Sequence, residues 1–160
     1  MKGSHRVMMY NSCQYRGRCQ SNGLKDYGPN PFVININRAT LQNSNYRTAL
    51  WTGQHLQLTL MCIAPESDIG LEVHPDTDQF LRIEQGCGIM KMGSSKDSLA
   101  FQRQVSAGNA IFVPAGTWHN LVNTGSVPIK LYTIYSPPEH PFGTVQRTKP
   151  DEAAASSSCS

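Results

Sequence analysis

Apolar residues recur at every second position along most of this 160-residue chain, and this alternation limits the folds that it can adopt. In an extended chain Leu56, Leu58 and Leu60 fall on one face, while Gln57 and Thr59 fall on the other. Similar short runs, separated by turn-forming Gly, Pro and Asn, lie at residues 32–36, 46–51, 79–84, 87–92, 99–105, 110–113, 118–122 and 129–135. No long helical pattern appears. The spacing therefore predicts an all-β sandwich or a jelly-roll barrel.

The two ends of the chain differ from its centre, which predicts one domain with an extension at each end. A chain of 160 residues with 39% hydrophobic and 16% charged residues suits a single packed domain. Residues 1–30 are polar and rich in Gly and Asn, and we expect an N-terminal arm or loop there. Residues 146–160 end in Ala and Ser repeats, which predict a disordered tail. The barrel is expected over residues 31–145, with residues 32–36 as a candidate arm strand.

Charge, apolar run length and cysteine spacing exclude several classes of protein. The net charge of +3 is not gathered into a basic stripe, so nucleic acid is not an expected partner. No run approaches the roughly 18 apolar residues of a membrane helix, and no apolar signal segment is visible near the start. The five cysteines are scattered without a C-x-x-C pair. This argues against a zinc or disulfide framework and predicts a reduced, cytoplasmic location.

One segment combines a turn with an imidazole at a fixed distance. Gly108 is followed, after five residues, by the turn Pro114-Ala115-Gly116, and His119 and Asn123 come next. Proline fixes its own backbone angle and glycine permits the reversal, so the segment predicts two strands joined by a tight turn. This pattern resembles the second motif of the cupin family, G(x)5PxG(x)2H(x)3N, with every fixed position filled.

A second segment is similar to the first cupin motif, G(x)5HxH(x)3,4E(x)6G, and departs from it at several positions. Gly86 matches the closing glycine, and Gln79 stands where the family usually has Glu. His74 matches the second histidine, and Glu72 takes the place of the first. The leading glycine would fall at Glu66, so that position is not matched.

A rival register would make His74 the first ligand and Asp76 the second. It would then put the apolar Phe80 or Leu81 on the position of the family's Glu. We prefer the first register because it provides a polar, coordinating atom at every site.

The resemblance implies a jelly-roll barrel, or double-stranded β-helix, whose inner face holds a divalent transition metal. The implied ligands are Glu72, His74, Gln79 and His119, and alternation places Glu72 and His74 on one face of a strand. Two imidazoles and one carboxylate suit Fe, Mn, Ni, Co or Zn. The two exchanges relative to the family leave one negative charge in the set. A second reading stays open, because some cupins have lost the metal and an inner histidine can be a hydrogen-bonded core residue.

The resemblance also implies a function. Small single-domain cupins of this layout are similar to mannose-6-phosphate isomerase-like proteins, which implies an enzyme acting on a small oxygenated metabolite such as a sugar or keto acid. Isomerase and oxygenase chemistry are both compatible with the ligand set, and a non-catalytic ligand-binding or structural cupin is the alternative. No catalytic base is identified: His140, in a proline-rich turn, and His55 are both expected at the surface. A homodimer is expected, because an open jelly roll leaves sheet edges for a partner to cover.

Overall fold

The computed structural model describes residues 23–150. Most of the predicted arm (1–22) and most of the predicted tail (151–160) lie outside these residues. The described part forms one helix and nine strands: α1 (Ile36–Gln42), β1 (Arg47–Thr52), β2 (Gln57–Ile63), β3 (Asp78–Gln85), β4 (Cys87–Gly93), β5 (Phe101–Ser106), β6 (Ala110–Val113), β7 (Trp118–Asn123), β8 (Ile129–Ser136) and β9 (Val145–Gln146). With seven residues, α1 is too short to cross a bilayer, and it is the sole helix among residues 23–150.

The strands form two antiparallel sheets that enclose the core. The larger sheet has the order β6-β3-β8-β2-β1-β9, and the smaller has the order β5-β4-β7. Side chains from both sheets meet in one buried cluster, which includes Met61, Leu81, Met90, Leu121 and Leu131. This all-β architecture confirms the predicted jelly-roll barrel.

Residues 32–36 are not a strand, so this prediction is wrong. The Asn35 side chain accepts a hydrogen bond from the Arg38 backbone N–H at 2.9 Å and starts α1 instead. Val33, which an arm strand would pair, is 96% exposed. The helix forms because its Ile36 and Ala39 pack against the outside of the large sheet, a tertiary contact that the local apolar run does not reveal.

Strand β2 separates its two faces in an unexpected way. Gln57 and Thr59 are fully buried and point into the barrel, while Leu58 and Leu60 point outward, under α1. The alternation therefore identified the two faces correctly, and the polar face is the inner one. This polar lining lies at the same level of the sheet as Gln79 and Tyr135, which pair across β3, β8 and β2.

The last described residues return to the barrel. Strand β9 pairs with β1, and Arg147 accepts a backbone hydrogen bond from Tyr46 at 3.2 Å. Lys149 forms an ion pair with Asp68. Gln146, Arg147 and Lys149, which belong to the predicted tail, thus contact the barrel.

Candidate metal centre

The two motif segments are hydrogen-bonded directly to each other. Glu72 and His119 lie opposite one another in an antiparallel bridge, with reciprocal backbone hydrogen bonds of 3.0 and 2.9 Å. The N–H of Gly116, in the Pro-Ala-Gly turn, donates to the His74 carbonyl at 2.8 Å. Because residues opposite each other in an antiparallel pair project to the same side, both ligand candidates enter the barrel together.

Three of the four predicted ligands converge inside the barrel. Glu72 Oε1 lies 3.5 Å from His74 Nε2 and 3.4 Å from His119 Nε2. One potential ligand atom from each residue lies within 4.8 Å of the other two. His119 is fully buried, His74 is buried and Glu72 is half-buried. Nitrogen and oxygen ligands lie about 2.0–2.2 Å from a metal such as zinc, so a triangle of this size can close around one ion.

Hydrogen bonds fix the orientation of both imidazoles. His119 Nδ1 lies 2.9 Å from the Thr117 carbonyl oxygen, which can only accept, so this nitrogen carries the proton. His74 Nδ1 lies 3.0 Å from Glu139 Oε1, and here too the ring donates to the carboxylate. In each neutral ring the Nε2 lone pair then faces Glu72. Metal-binding histidines are held in this way by a carboxylate or carbonyl on the second nitrogen.

The fourth candidate, Gln79, lies on β3 and is 3% exposed. Its Nε2 donates to Thr133 Oγ1 at 3.1 Å, and its Oε1 accepts no hydrogen bond. Each of the four predicted ligands thus has one buried atom without a hydrogen-bond partner: Glu72 Oε1, His74 Nε2, Gln79 Oε1 and His119 Nε2. Buried polar atoms are seldom left unpaired, so these residues fit a bound cation.

The electrostatics of the cluster also favour a cation. Burial by itself would raise the pKa of Glu72, but His119, His74 and Arg47 together lower this pKa to about 2. Burial lowers the pKa of His74, and Glu72 and Glu139 outweigh it, so the pKa of His74 lies above its ordinary value. An ionised carboxylate that draws a proton onto a neighbouring imidazole also attracts a metal ion that displaces this proton.

Asp76, the second ligand of the rival register, does not join the cluster, and neither does its neighbour Asp78. Asp76 is exposed, and so is Asp78, whose Oδ1 accepts a hydrogen bond from the Ala115 backbone N–H at 2.9 Å. Phe80 points outward from β3, where its ring packs against Phe112.

Comparison with known proteins places the chain in a family. The Cupin domain family model matches residues 59–135. The uncharacterized protein YrkC of Bacillus subtilis is 68% identical over 132 residues, which are 82% of this chain and 71% of YrkC. This chain belongs to the cupin superfamily. The uncharacterized protein L612 of Acanthamoeba polyphaga mimivirus is 41% identical over 127 residues, 79% of this cupin and 78% of L612.

A solved structure supports the same assignment. The protein BH2720 from Bacillus halodurans has a known crystal structure. Its sequence is 57% identical to that of this cupin, and the two structures match with a TM-score of 0.78. The match covers 79% of this chain and 96% of that chain. The predicted family and the predicted barrel are therefore both confirmed, while the names of these relatives state no activity.

The structure places His140 of this cupin differently from the prediction made from the sequence. His140 was expected at the surface, but its ring packs edge-on against the buried Tyr135 at 5.1 Å, and its Nε2 is buried without a partner. Tyr135 also packs against His74, at 5.6 Å between ring centroids. Burial and the charge of Arg47 lower the pKa of His140 to about 4, and burial raises the pKa of Tyr135 to about 12. At neutral pH both side chains are therefore uncharged. His55 is exposed as expected.

One buried amide positions His140. Gln57 Oε1 accepts hydrogen bonds from the backbone N–H groups of Glu139 and His140, at 3.3 and 2.9 Å. Its Nε2 donates to the His140 carbonyl at 2.8 Å and to Thr52 Oγ1 at 2.9 Å. The loop that carries Glu139 and His140 is thereby fixed over the candidate metal ligands.

Three residues near the site escaped the sequence reasoning: Arg47, Gln57 and Glu139. Gln57 had a usable signal, since it alternates with Thr59 on the polar face of a strand. Glu139 stands next to His140 in a segment that was interpreted as a surface turn. Arg47 had no local signal, because its burial depends on contacts between strands that are distant in sequence.

Proposed function

We propose that this cupin is an enzyme that binds one divalent transition metal through Glu72, His74 and His119. The side-chain oxygen of Gln79 is the fourth ligand. Its substrate class is a small oxygenated metabolite such as a sugar or a keto acid. The observation that carries the proposal is the set of four buried, unpartnered ligand atoms on these side chains. The mixed nitrogen and oxygen set suits Fe, Mn, Ni, Co or Zn.

A bound divalent metal supplies Lewis acidity, which polarises carbonyl and hydroxyl oxygens of a substrate. The residues of this chain supply orientation and proton transfer. Glu139 keeps the proton of His74 on Nδ1, and Thr117 does the same for His119. His140 stays neutral at pH 7 because burial and the charge of Arg47 lower its pKa to about 4, so this ring is available as a base, although a weak one, and its Nε2 is buried without a partner. This geometry favours chemistry that begins with proton abstraction next to a carbonyl, as in an isomerase.

Metal content tests the first part of the proposal. We expect about one cobalt or zinc ion per chain after reconstitution and desalting, measured by elemental analysis. The His119→Ala variant should lose the metal while keeping its circular dichroism spectrum, because it removes one of three converging ligand atoms. The matched control His55→Ala, at an exposed position, should keep the metal. A wild-type protein that is folded and stays metal-free after reconstitution would refute metal binding.

Solvent exchange tests the second part. The metal-loaded protein is incubated in D2O with a panel of aldoses, ketoses and 2-oxo acids, and deuterium incorporation next to the carbonyl is followed by proton NMR. We expect exchange with wild type and at least a tenfold slower exchange with His140→Gln at unchanged metal content. Oxygen consumption by the iron-loaded protein would indicate the oxygenase alternative instead.

The non-catalytic alternative is a ligand-binding or structural cupin. Its support is that Glu72 and Gln79 differ from the residues usual at these two positions of the cupin motif. A metal-loaded protein that binds members of the panel without exchanging or consuming any of them would favour this alternative.

We further propose a cytoplasmic homodimer. Free thiols at Cys62 and Cys87 support the reduced location. Phe112 supports the dimer, because it is 69% exposed on edge strand β6 and continues an apolar surface with Phe80. We expect Phe112→Ser to convert a dimer into a monomer in light scattering, while Phe142→Ser, at an exposed loop position, leaves the dimer intact. A monomeric wild type would contradict the proposal.

A further inference from the structure

An arginine is buried inside the barrel. Arg47 lies on β1 directly opposite Met61 of β2, and Met61 belongs to the central core cluster. Because paired residues share a face of the sheet, Arg47 also points into the barrel. It is 6% exposed, although arginine is rarely buried unless it is paired with an anion.

The guanidinium of Arg47 has weak partners. Its Nη1 donates to Gln146 Oε1 at 3.1 Å, and its Nη2 lies 3.9 Å from the sulfur of Met61. Its Cζ lies 5.4 Å from the centre of the Tyr46 ring, and its Nε is buried without a partner. Within residues 23–150, no carboxylate forms an ion pair with it. Among the described residues, the Arg47 Nε–H therefore has no hydrogen-bond acceptor, and the positive charge of the guanidinium has no anionic partner.

This charge acts on the candidate metal centre. Together with the larger effect of burial, Arg47 lowers the pKa of His140, and it contributes to the low pKa of Glu72. When a divalent cation is bound, the carboxylates of Glu72 and Glu139 balance its charge. Imidazoles bind a metal in their neutral form and add no charge, so Arg47 leaves one positive charge uncompensated inside the barrel.

We propose that Arg47 binds the carboxylate of the substrate, and that the ligand of this barrel is a small monoanionic 2-oxo or 2-hydroxy acid. The planar guanidinium matches a carboxylate, and the single uncompensated charge matches a monoanion. This inference rests on the proposed metal function and narrows its substrate class from sugars and keto acids to acids. Arg47 acts in substrate recognition. It holds the carboxylate of the acid at β1, and the 2-oxo or 2-hydroxy oxygen of the acid then points toward the metal ligands.

Binding of matched charged and uncharged probes tests the inference. Cobalt-loaded protein is titrated with pyruvate and lactate, and with their uncharged amides pyruvamide and lactamide. The visible absorption of cobalt and the shift in Tm report binding. We expect wild type to bind at least one of the acids at least tenfold more tightly than its amide. Arg47→Gln should bind acid and amide within twofold of each other at unchanged cobalt content, and Arg103→Gln, at an exposed arginine, should behave as wild type.

The outcomes separate this inference from the metal proposal. If Arg47→Gln does not fold, Arg47→Met, an apolar replacement of similar length, is used in its place. Absence of cobalt from wild type refutes the metal proposal, and the Tm shift of the metal-free protein with each acid then still measures the role of Arg47. Equal binding of acids and amides by wild type, binding of neither, unchanged acid binding by the variant, or tighter binding of glucose 6-phosphate than of both acids would each overturn the inference.

Discussion

The hydrogen bond between His74 and Glu139 allows the sharpest test of the site, because one substitution changes its charge and little else. Glu139→Gln keeps an oxygen at the position of Oε1, 3.0 Å from His74 Nδ1, and removes the negative charge. A neutral acceptor makes the ring a weaker electron donor at Nε2. We therefore expect the variant to fold normally and to bind metal more weakly.

The magnitude follows from the exposure of the pair. Loss of a carboxylate partner behind a metal-bound histidine typically lowers metal affinity ~10–100-fold. The side chain of Glu139 is 30% exposed, so solvent screens part of its charge and the effect falls toward the lower end of that range. We expect a loss of about tenfold, or ~1.4 kcal/mol of binding free energy.

The assay is competition for cobalt or zinc with a chromophoric chelator at pH 8. This pH is chosen because Glu72 and Glu139 raise the pKa of His74, and a proton on that ring would compete with the metal at lower pH. The matched control is Glu66→Gln, an exposed glutamate, which should leave the affinity unchanged. Equal affinities of wild type and Glu139→Gln within twofold would show that Glu139 does not support a metal ligand.

Three further predictions follow from individual side chains. Gln79→Glu adds a buried charge at a position 3% exposed, so we expect at least tenfold tighter metal binding in chelator competition and a lower Tm without metal. Gln57→Met removes three hydrogen bonds to Glu139 and His140 and one to Thr52, so we expect a loss of ~1–3 kcal/mol in urea unfolding and faster hydrogen exchange in the loop at residues 137–143. Gly86→Ala strains a residue at φ +87° and places a Cβ 2.9 Å from the backbone of β8, so it should destabilise by ~1–3 kcal/mol. Gly108→Ala, at φ +93° with open space around it, should cost less in the same urea titration, and an equal loss would refute the clash.

The sequence predicts most strands because each has alternating burial and ends at a turn residue. Strand β6 has the predicted bounds, and β4 and β7 differ from prediction by one residue. Residues 32–36 fail the same test for a physical reason. A run of β-branched and aromatic residues favours a strand locally, but the side chain of Asn35 caps a helix, and the helix gains buried contacts with β2 that local sequence does not show.

The candidate site was partly predictable, to the extent that it depends on short-range spacing. Glu72 and His74 are two residues apart, and His119 follows a recognisable turn, so their shared direction could be inferred. Glu139 reaches the site through its ion pair with His74, which lies 65 residues earlier in the chain. Arg47 reaches it because it is buried between strands, where it bonds Gln146, 99 residues away. Such contacts depend on the closed barrel.

The polar lining of the barrel also explains why the fold includes α1. Gln57 and Thr59 occupy inner positions of β2, so the leucines of this strand must be buried on the outer face. Leu50 and Leu60, at 1% and 0% exposure, form a second apolar cluster under the helix, together with Ala39. Burying one leucine stabilises a fold by about 1.5–3 kcal/mol, so the two leucines offset part of the cost of placing unpaired polar atoms inside. The barrel can therefore keep a polar, charged interior at the candidate site because a separate core on its outer surface stabilises the same strands.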